Sequence, residues 1–163
     1  MLKFCSLYSG SSGNSSFIQS KNINILVDAG VSGKKIVDAL ASINVDIADI
    51  SAILITHEHS DHTQSIATLS KKYNIPVYAN KKTWEAMNDK KVKILQENIC
   101  YFNNNKPFIL NDITILPFDI PHDAANPCGF TISDSESKLS IATDIGHMTT
   151  SILDNIKNSN FLL

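Results

Sequence analysis

Ile53 to His62 reads ILITHEHSDH, an apolar β-like run that ends in His57, His59, Asp61 and His62. Three of the five histidines lie within these few residues, with a carboxylate among them. Nothing else in the chain is so hard to explain by packing alone, because buried imidazoles and carboxylates need partners. The segment suits a strand whose end opens onto a site, where imidazole and carboxylate together favour borderline and hard divalent cations. The spacing excludes the H-E-x-x-H pattern of zincins, since Asp61 stands where that motif needs its second histidine. In an extended segment residues two apart share a side, so His57, His59 and Asp61 are expected to converge while His62 starts the next helix. Four ligands so spaced suit two adjacent metals better than one.

The chain has 163 residues, 43% of them hydrophobic, enough for one domain with a core. No apolar stretch approaches the ~18 residues of a membrane span, so no membrane role is expected. The N-terminus, MLKFCSLYSG, lacks a signal-peptide core. Cys5, Cys100 and Cys128 are odd in number and far apart, which argues against a disulfide framework and for a cytoplasmic setting. All 14 basic residues are lysines. With no guanidinium fork, phosphate recognition would fall to lysine, backbone N–H groups or metal.

Along the chain, Phe4–Tyr8, Phe17–Gln19 and Asn22–Asp28 read as strands joined by short loops, an antiparallel start to a sheet. Ser32 is expected to cap a helix carrying Ile36, Val37, Leu40 and Ile43 on one face. Ala52–Thr56 reads as a buried strand, Asp61–Lys72 as a helix, Pro76–Ala79 as a strand and Lys82–Asp89 as a helix. Strands follow at Cys100–Phe102, Phe108–Leu110, Ile113–Pro117, Phe130–Ile132 and Leu139–Thr143, then a helix at Thr149–Lys157. Asn160–Leu163 resembles the start of another strand. The fold class is α/β, with mixed sheets flanked by helices, and no linker divides residues 1–163.

Two further ligand candidates sit at strand ends: His122 after ITILPFDIP and Asp144 after LSIAT. Either alone reads as a turn residue. Beside a ligand cluster they become the best completions of a dinuclear site, whose paired cations clamp the attacking and leaving oxygens of an ester.

HEHSDH matches the H-x-H-x-D-H signature of the metallo-β-lactamase superfamily, which the chain resembles throughout. SGSSGNS, LVDAG, THEHSDH, IPVYA, PHDAANPCGF and IATDIG occur in the order of its YycJ/WalJ (VicX) branch, a group of 5′–3′ DNA exonucleases. The resemblance implies the N-terminal portion of an αβ/βα sandwich, residues 1–163 forming a metallo-β-lactamase-like domain incomplete at its C-terminus. It implies two divalent ions, Zn or Mn. One would be held by His57, His59 and His122, the other by Asp61 and His62, with Asp144 bridging both. Asp28 of LVDAG would orient the ligand loop from behind. The family's last ligand histidine, downstream of an E-x-N-H-D-like segment, has no counterpart here; His147 is the one spare histidine and reads as a loop residue.

The expected activity is metal-assisted hydrolysis of a DNA phosphodiester by a metal-bound hydroxide, with Asp61 and His122 assisting proton movement. A small-molecule ester, thioester or lactam hydrolase on the same scaffold is the alternative. An inactive metal-binding fragment with an uncovered apolar sheet face and open edges is another. Ser9, Gly10, Ser11, Ser12, Gly13 and Asn14 form a loop able to present N–H groups to phosphate. Lys71-Lys72, Lys81-Lys82 and Lys90-Lys91 read mainly as solvated helix faces. Cys128, Tyr73 and Trp84 read as packing residues.

Overall fold

A strand with apolar residues on both faces has to be covered on both, and the computed structural model, which describes residues 1–163, shows how. In the first sheet β1 (Lys3–Tyr8), β2 (Ser15–Gln19), β3 (Asn24–Val27), β4 (Ala52–Leu54), β5 (Val77–Asn80) and β6 (Ile99–Phe102) lie side by side in chain order. β1 to β3 pair antiparallel through short loops. From β3 to β6 the pairing is parallel, which demands crossovers. These are α1 (Gly33–Ser42), then α2 (Ser60–Thr63) with α3 (Ile66–Tyr73), then α4 (Lys81–Ala86) with α5 (Asn88–Lys91). Ser32 caps α1 as expected, its Oγ accepting from the Lys35 N–H at 3.4 Å.

The second sheet has the order β11-β10-β9-β8-β7, from β7 (Phe108–Leu110), β8 (Ile113–Asp119), β9 (Cys128–Ser133), β10 (Lys138–Ile141) and β11 (Phe161–Leu162). All its pairs are antiparallel except β10 with β11, which are parallel and bridged by α6 (Thr150–Ile156).

Alternation sorts the core into two layers. Phe17, Leu26, Ile53, Ile55 and Val77 point to the helices, where Ile36, Leu40, Ile66, Leu69 and Trp84 meet them. Ile18, Ile25, Val27 and Leu54 point the other way, onto Ile113, Ile115, Phe130, Ile132 and Leu139 of the second sheet. Each such side chain, fully buried, contributes about 1.5–3 kcal/mol. The core thus fixes β4 between two layers, and the chain first regains partial exposure at Glu58, beyond its end.

Three expectations from the sequence need correction. The single helix over Asp61–Lys72 is two, α2 and α3, because the N–H and Oγ of Ser65 both donate to Ala29 O, at 3.0 and 3.1 Å, and anchor the turn to the loop after β3. The helix over Lys82–Asp89 is also divided. Met87 leaves the helical region (φ −94°, ψ 24°) to bury its side chain, and α5 restarts after it. The outer face of the second sheet is not the bare apolar surface expected of a fragment. Thr131 and Ser140 meet there through their hydroxyls at 3.2 Å, and Lys138 Nζ donates to Asn155 O and Lys157 O at the end of α6. Phe118 and Ile120 are covered by Ile152 of that helix. No helix is long and apolar enough to cross a membrane.

Candidate metal centre

The ligand loop is held by backbone contacts so close that side chains are excluded. Asn14 N–H donates to Asp61 O, Gly30 N–H to Asn14 O and Ala29 N–H to His62 O, each at 2.8 Å. A Cβ on Gly30 would sit 1.6 Å from Asp61 O. Gly13 has φ +142°, and a Cβ there would meet Gly30 O at 2.4 Å. Gly13–Asn14, Ala29–Gly30 and Asp61–His62 therefore form one interlocked unit beyond the ends of β3 and β4.

Behind it lies a polar network centred on Asp28, which is buried and left-handed (φ 62°). Its Oδ1 accepts from Thr56 N–H at 2.9 Å. Its Oδ2 accepts from Thr56 Oγ1–H at 2.8 Å and lies 2.7 Å from His62 Nδ1. An ionised carboxylate can only accept, so His62 Nδ1 carries a proton, which leaves Nε2 as the nitrogen available to a cation. Thr56 Oγ1 has given its hydrogen to Asp28, so at 3.0 Å it accepts from His57 Nδ1. His57 Nε2 is then bare, and it is buried without a hydrogen-bond partner. One carboxylate and one hydroxyl thus set the tautomers of two imidazoles.

The four imidazoles converge, three from the segment after β4 and His122 from the loop between β8 and β9. Ring centroids of His57 lie 4.6, 4.1 and 4.8 Å from those of His59, His62 and His122. His122 Nε2 is 3.3 Å from His59 Nδ1. Two nitrogens on a tetrahedral zinc with Zn–N about 2.0–2.1 Å would stand roughly 3.3–3.4 Å apart, so the spacing fits a shared cation. Ligand atoms of His57, His59 and His122 lie within 4.8 Å of one another, as do those of His57, His62 and Asp144. His62 Nε2 is 3.2 Å from Asp144 Oδ2 and 3.5 Å from Asp61 Oδ2. The donor set of imidazole and carboxylate fits a divalent cation at either group.

Electrostatics separate the two rings that share this network. Burial, then the charge of His62, pushes His57 down to about 4, so it is the neutral imidazole that a cation requires. Burial also pushes His62 down, but the Asp28 hydrogen bond and the charges of Asp28, Asp144 and Asp61 outweigh it and hold His62 above its ordinary value.

The sequence candidates are largely brought together. His57, His59, His62, His122 and Asp144 converge. Asp61, about one-third exposed, faces the rim from α2 rather than from an extended segment. Asp28 stands behind His62. In the Ser9–Asn14 loop, Asn14 lies closest to the cluster, its Nδ2 3.1 Å from His62 Nε2, while Ser9 to Ser12 are exposed. His147 is exposed and belongs to neither group. Cys128 is fully buried, as a packing residue should be, with its Sγ 3.5 Å from Thr56 O. The largest cleft, about 840 Å³ between α3 and Val92–Leu95, includes Lys71 and Lys72 but no ligand candidate. Sequence reasoning missed Thr56, whose only signal was a hydroxyl immediately before the first histidine.

Residues 23–163 match the family model described as a β-lactamase superfamily domain. The chain belongs to that superfamily. It is 40% identical over 162 residues to exodeoxyribonuclease WalJ of Streptococcus pneumoniae serotype 2, covering 97% of this chain and 60% of WalJ. Against exodeoxyribonuclease YycJ of Bacillus anthracis it is 37% identical over 159 residues, again covering 60% of the relative. The chain therefore spans about three-fifths of the length of these curated relatives. Among solved structures, the metallo-β-lactamase fold protein YhfI from Bacillus subtilis superposes with TM-score 0.79 at 16% identity, over 99% of this chain and 70% of YhfI. Zn²⁺-bound PqqB from Methylobacterium extorquens gives 0.75 at 15% identity, over 91% of this chain and 58% of PqqB. These likenesses confirm the sandwich fold.

Proposed function

We propose that the chain carries the metal-binding half-sites of a metal-dependent phosphodiesterase that degrades DNA as an exonuclease. The convergence of the imidazoles of His57, His59, His62 and His122 carries this reading, and the likeness to two exodeoxyribonucleases directs it toward DNA. His57, His59 and His122 would hold one divalent cation, and Asp61 and His62 the second, with Asp144 available to either. The nitrogen and oxygen donors suit Zn²⁺ or Mn²⁺. Cations bound there supply Lewis acidity toward a phosphoryl oxygen and neutralise charge that develops in hydrolysis.

The chain's own residues do the rest. Asp28 and Thr56 orient His62 and His57, so no rotational search precedes binding. Asp61 stands at the rim, where its carboxylate takes the proton of the attacking water as the new P–O bond forms, and His122 assists that proton's passage to the departing oxygen as the ester P–O bond breaks. The Ser9–Asn14 loop is tied to Asp61 through Asn14; with the N–H groups of Gly10, Gly13 and Asn14 bonded within the protein, those of Ser11 and Ser12 are the ones offered to a phosphate in this reading. Three free cysteines suit a cytoplasmic setting.

The test pairs 5′-labelled duplex DNA with a chromogenic lactam, each incubated with the metal-loaded protein. Release of labelled mononucleotide, abolished by a chelator, is the expected result. Lactam turnover without nucleotide release would overturn the nuclease reading in favour of a small-molecule hydrolase.

A further inference from the structure

His122 and the histidines after β4 come from different sheets, so something must hold the His122 loop against the ligand loop. Three contacts do so. Cys128 N–H donates to Thr56 O at 3.0 Å, Asn80 Nδ2 to Asn126 O at 2.8 Å, and Ala125 N–H to Glu58 Oε1 at 2.7 Å. The first two fix the far end of the loop. Glu58 alone reaches it from between two ligands, His57 and His59, to a point three residues past His122.

We propose that Glu58 is the positioning residue for His122, an inference that rests on the metal-centre reading above. The charge-assisted bond to Ala125 sets how far the loop stands from His59, and hence the 3.3 Å separation of His59 Nδ1 and His122 Nε2. A second observation points the same way. Glu58 Oε2 is buried and without a hydrogen-bond partner, an arrangement that costs free energy and that a residue present only for packing or solubility would avoid. The side chain therefore turns inward, toward the seam between the sheets, although its neighbour Ser60 is exposed.

The experiment compares wild type, E58A and E58Q by Co²⁺ titration, read from the ligand-field absorption of the bound ion, and by exchange of the Ala125 amide in metal-free protein. In E58A the Ala125 amide should lose protection and the affinity for the first Co²⁺ should fall about 10–100-fold, the range for residues that orient metal ligands. E58Q keeps an acceptor oxygen, so both readouts should return to within about threefold of wild type if the hydrogen bond is the agent. Wild-type affinity and an unchanged spectrum in E58A would overturn the proposal, as would equal impairment of E58A and E58Q. Should E58A fail to fold, E58Q decides: retained affinity supports the proposal and a tenfold loss contradicts it. A wild-type chain that bound no Co²⁺ would instead contradict the metal-centre reading, and the Ala125 amide would still report on the Glu58 contact.

Discussion

Asp28→Asn changes one atom in shape and inverts the hydrogen-bond logic behind two ligands. Asn can still accept from Thr56 N–H through Oδ1, but an NH₂ group replaces the oxygen that faces His62 Nδ1 and Thr56 Oγ1. Donor then meets donor. Relief requires His62 to move its proton to Nε2, the nitrogen that faces Asp144 at 3.2 Å. The Thr56 hydroxyl, no longer donating to residue 28, turns toward His57 Nδ1 and drives that ring to the same wrong tautomer. Two bonds to a charged acceptor, about 1.5–3 kcal/mol each, are exchanged for neutral ones of about 0.5–1.5, a net loss of roughly 2–3 kcal/mol in stability. Metal affinity should fall about 10–100-fold, or about 1.4–2.8 kcal/mol. Competitive metal titration measures the affinity, and two-bond ¹H–¹⁵N correlation of the imidazoles reads the tautomers. Wild-type affinity with His62 still protonated on Nδ1 would refute the reasoning.

Other perturbations separate the remaining parts of the account. His122→Ala should remove one cation from the metal stoichiometry while leaving the His62 and Asp144 half-site loaded, as counted by elemental analysis after gel filtration; full loading would exclude His122 as a ligand. Gly30→Ala places a Cβ 1.6 Å from Asp61 O, and only a backbone shift relieves it. Its melting temperature should drop roughly 6–12 °C, for a cost of about 3 kcal/mol, and an unchanged melt would show that the interlocked loops yield easily. Far from the site, Asp134 accepts from Glu136 and Ser137 N–H and pairs with the Met1 ammonium at 2.9 Å. Burial pushes Asp134 up, but the ammonium and these hydrogen bonds outweigh it and hold its carboxyl well below the ordinary range. A lowered native value stabilises the fold above the ordinary carboxylate value near 3.9, and that stabilisation fades as pH falls toward the native one. The Met1 amine is raised by Asp134 and Glu136, so its share is present below its ordinary value of 8.0 and lost above its raised one. Asp134→Asn should flatten both limbs of a melting temperature–pH profile; a profile identical to wild type would contradict the pairing.

The candidate ligands were legible because their chemistry is local: three histidines and an aspartate after one strand, then His122 and Asp144 at the ends of others. The residues that tune them were not. Thr56 and Glu58 acquire their roles from Asp28 and Ala125, 28 and 67 positions away, and nothing in a lone hydroxyl or carboxylate announces so distant a partner. The same holds for the divided helices, since Ser65 answers to Ala29 rather than to helical periodicity. Asp28 and Asp144 both adopt positive φ, as do five asparagines, a backbone choice that short polar side chains permit and that periodicity cannot foresee. On the second sheet, the strands at Ile113–Pro117 and Phe130–Ile132 were visible, but the covering of its outer face by α6 depends on Lys138 reaching carbonyls at the end of that helix.

Anomalous diffraction from crystals grown with Mn²⁺ or Zn²⁺ tests most directly whether these histidines and aspartates form a divalent-metal centre. One peak is expected about 2.0–2.1 Å, for zinc, from nitrogens of His57, His59 and His122, and a second beside His62, Asp61 and Asp144. Absence of a peak at the cluster, or peaks confined to other residues, would contradict such a centre.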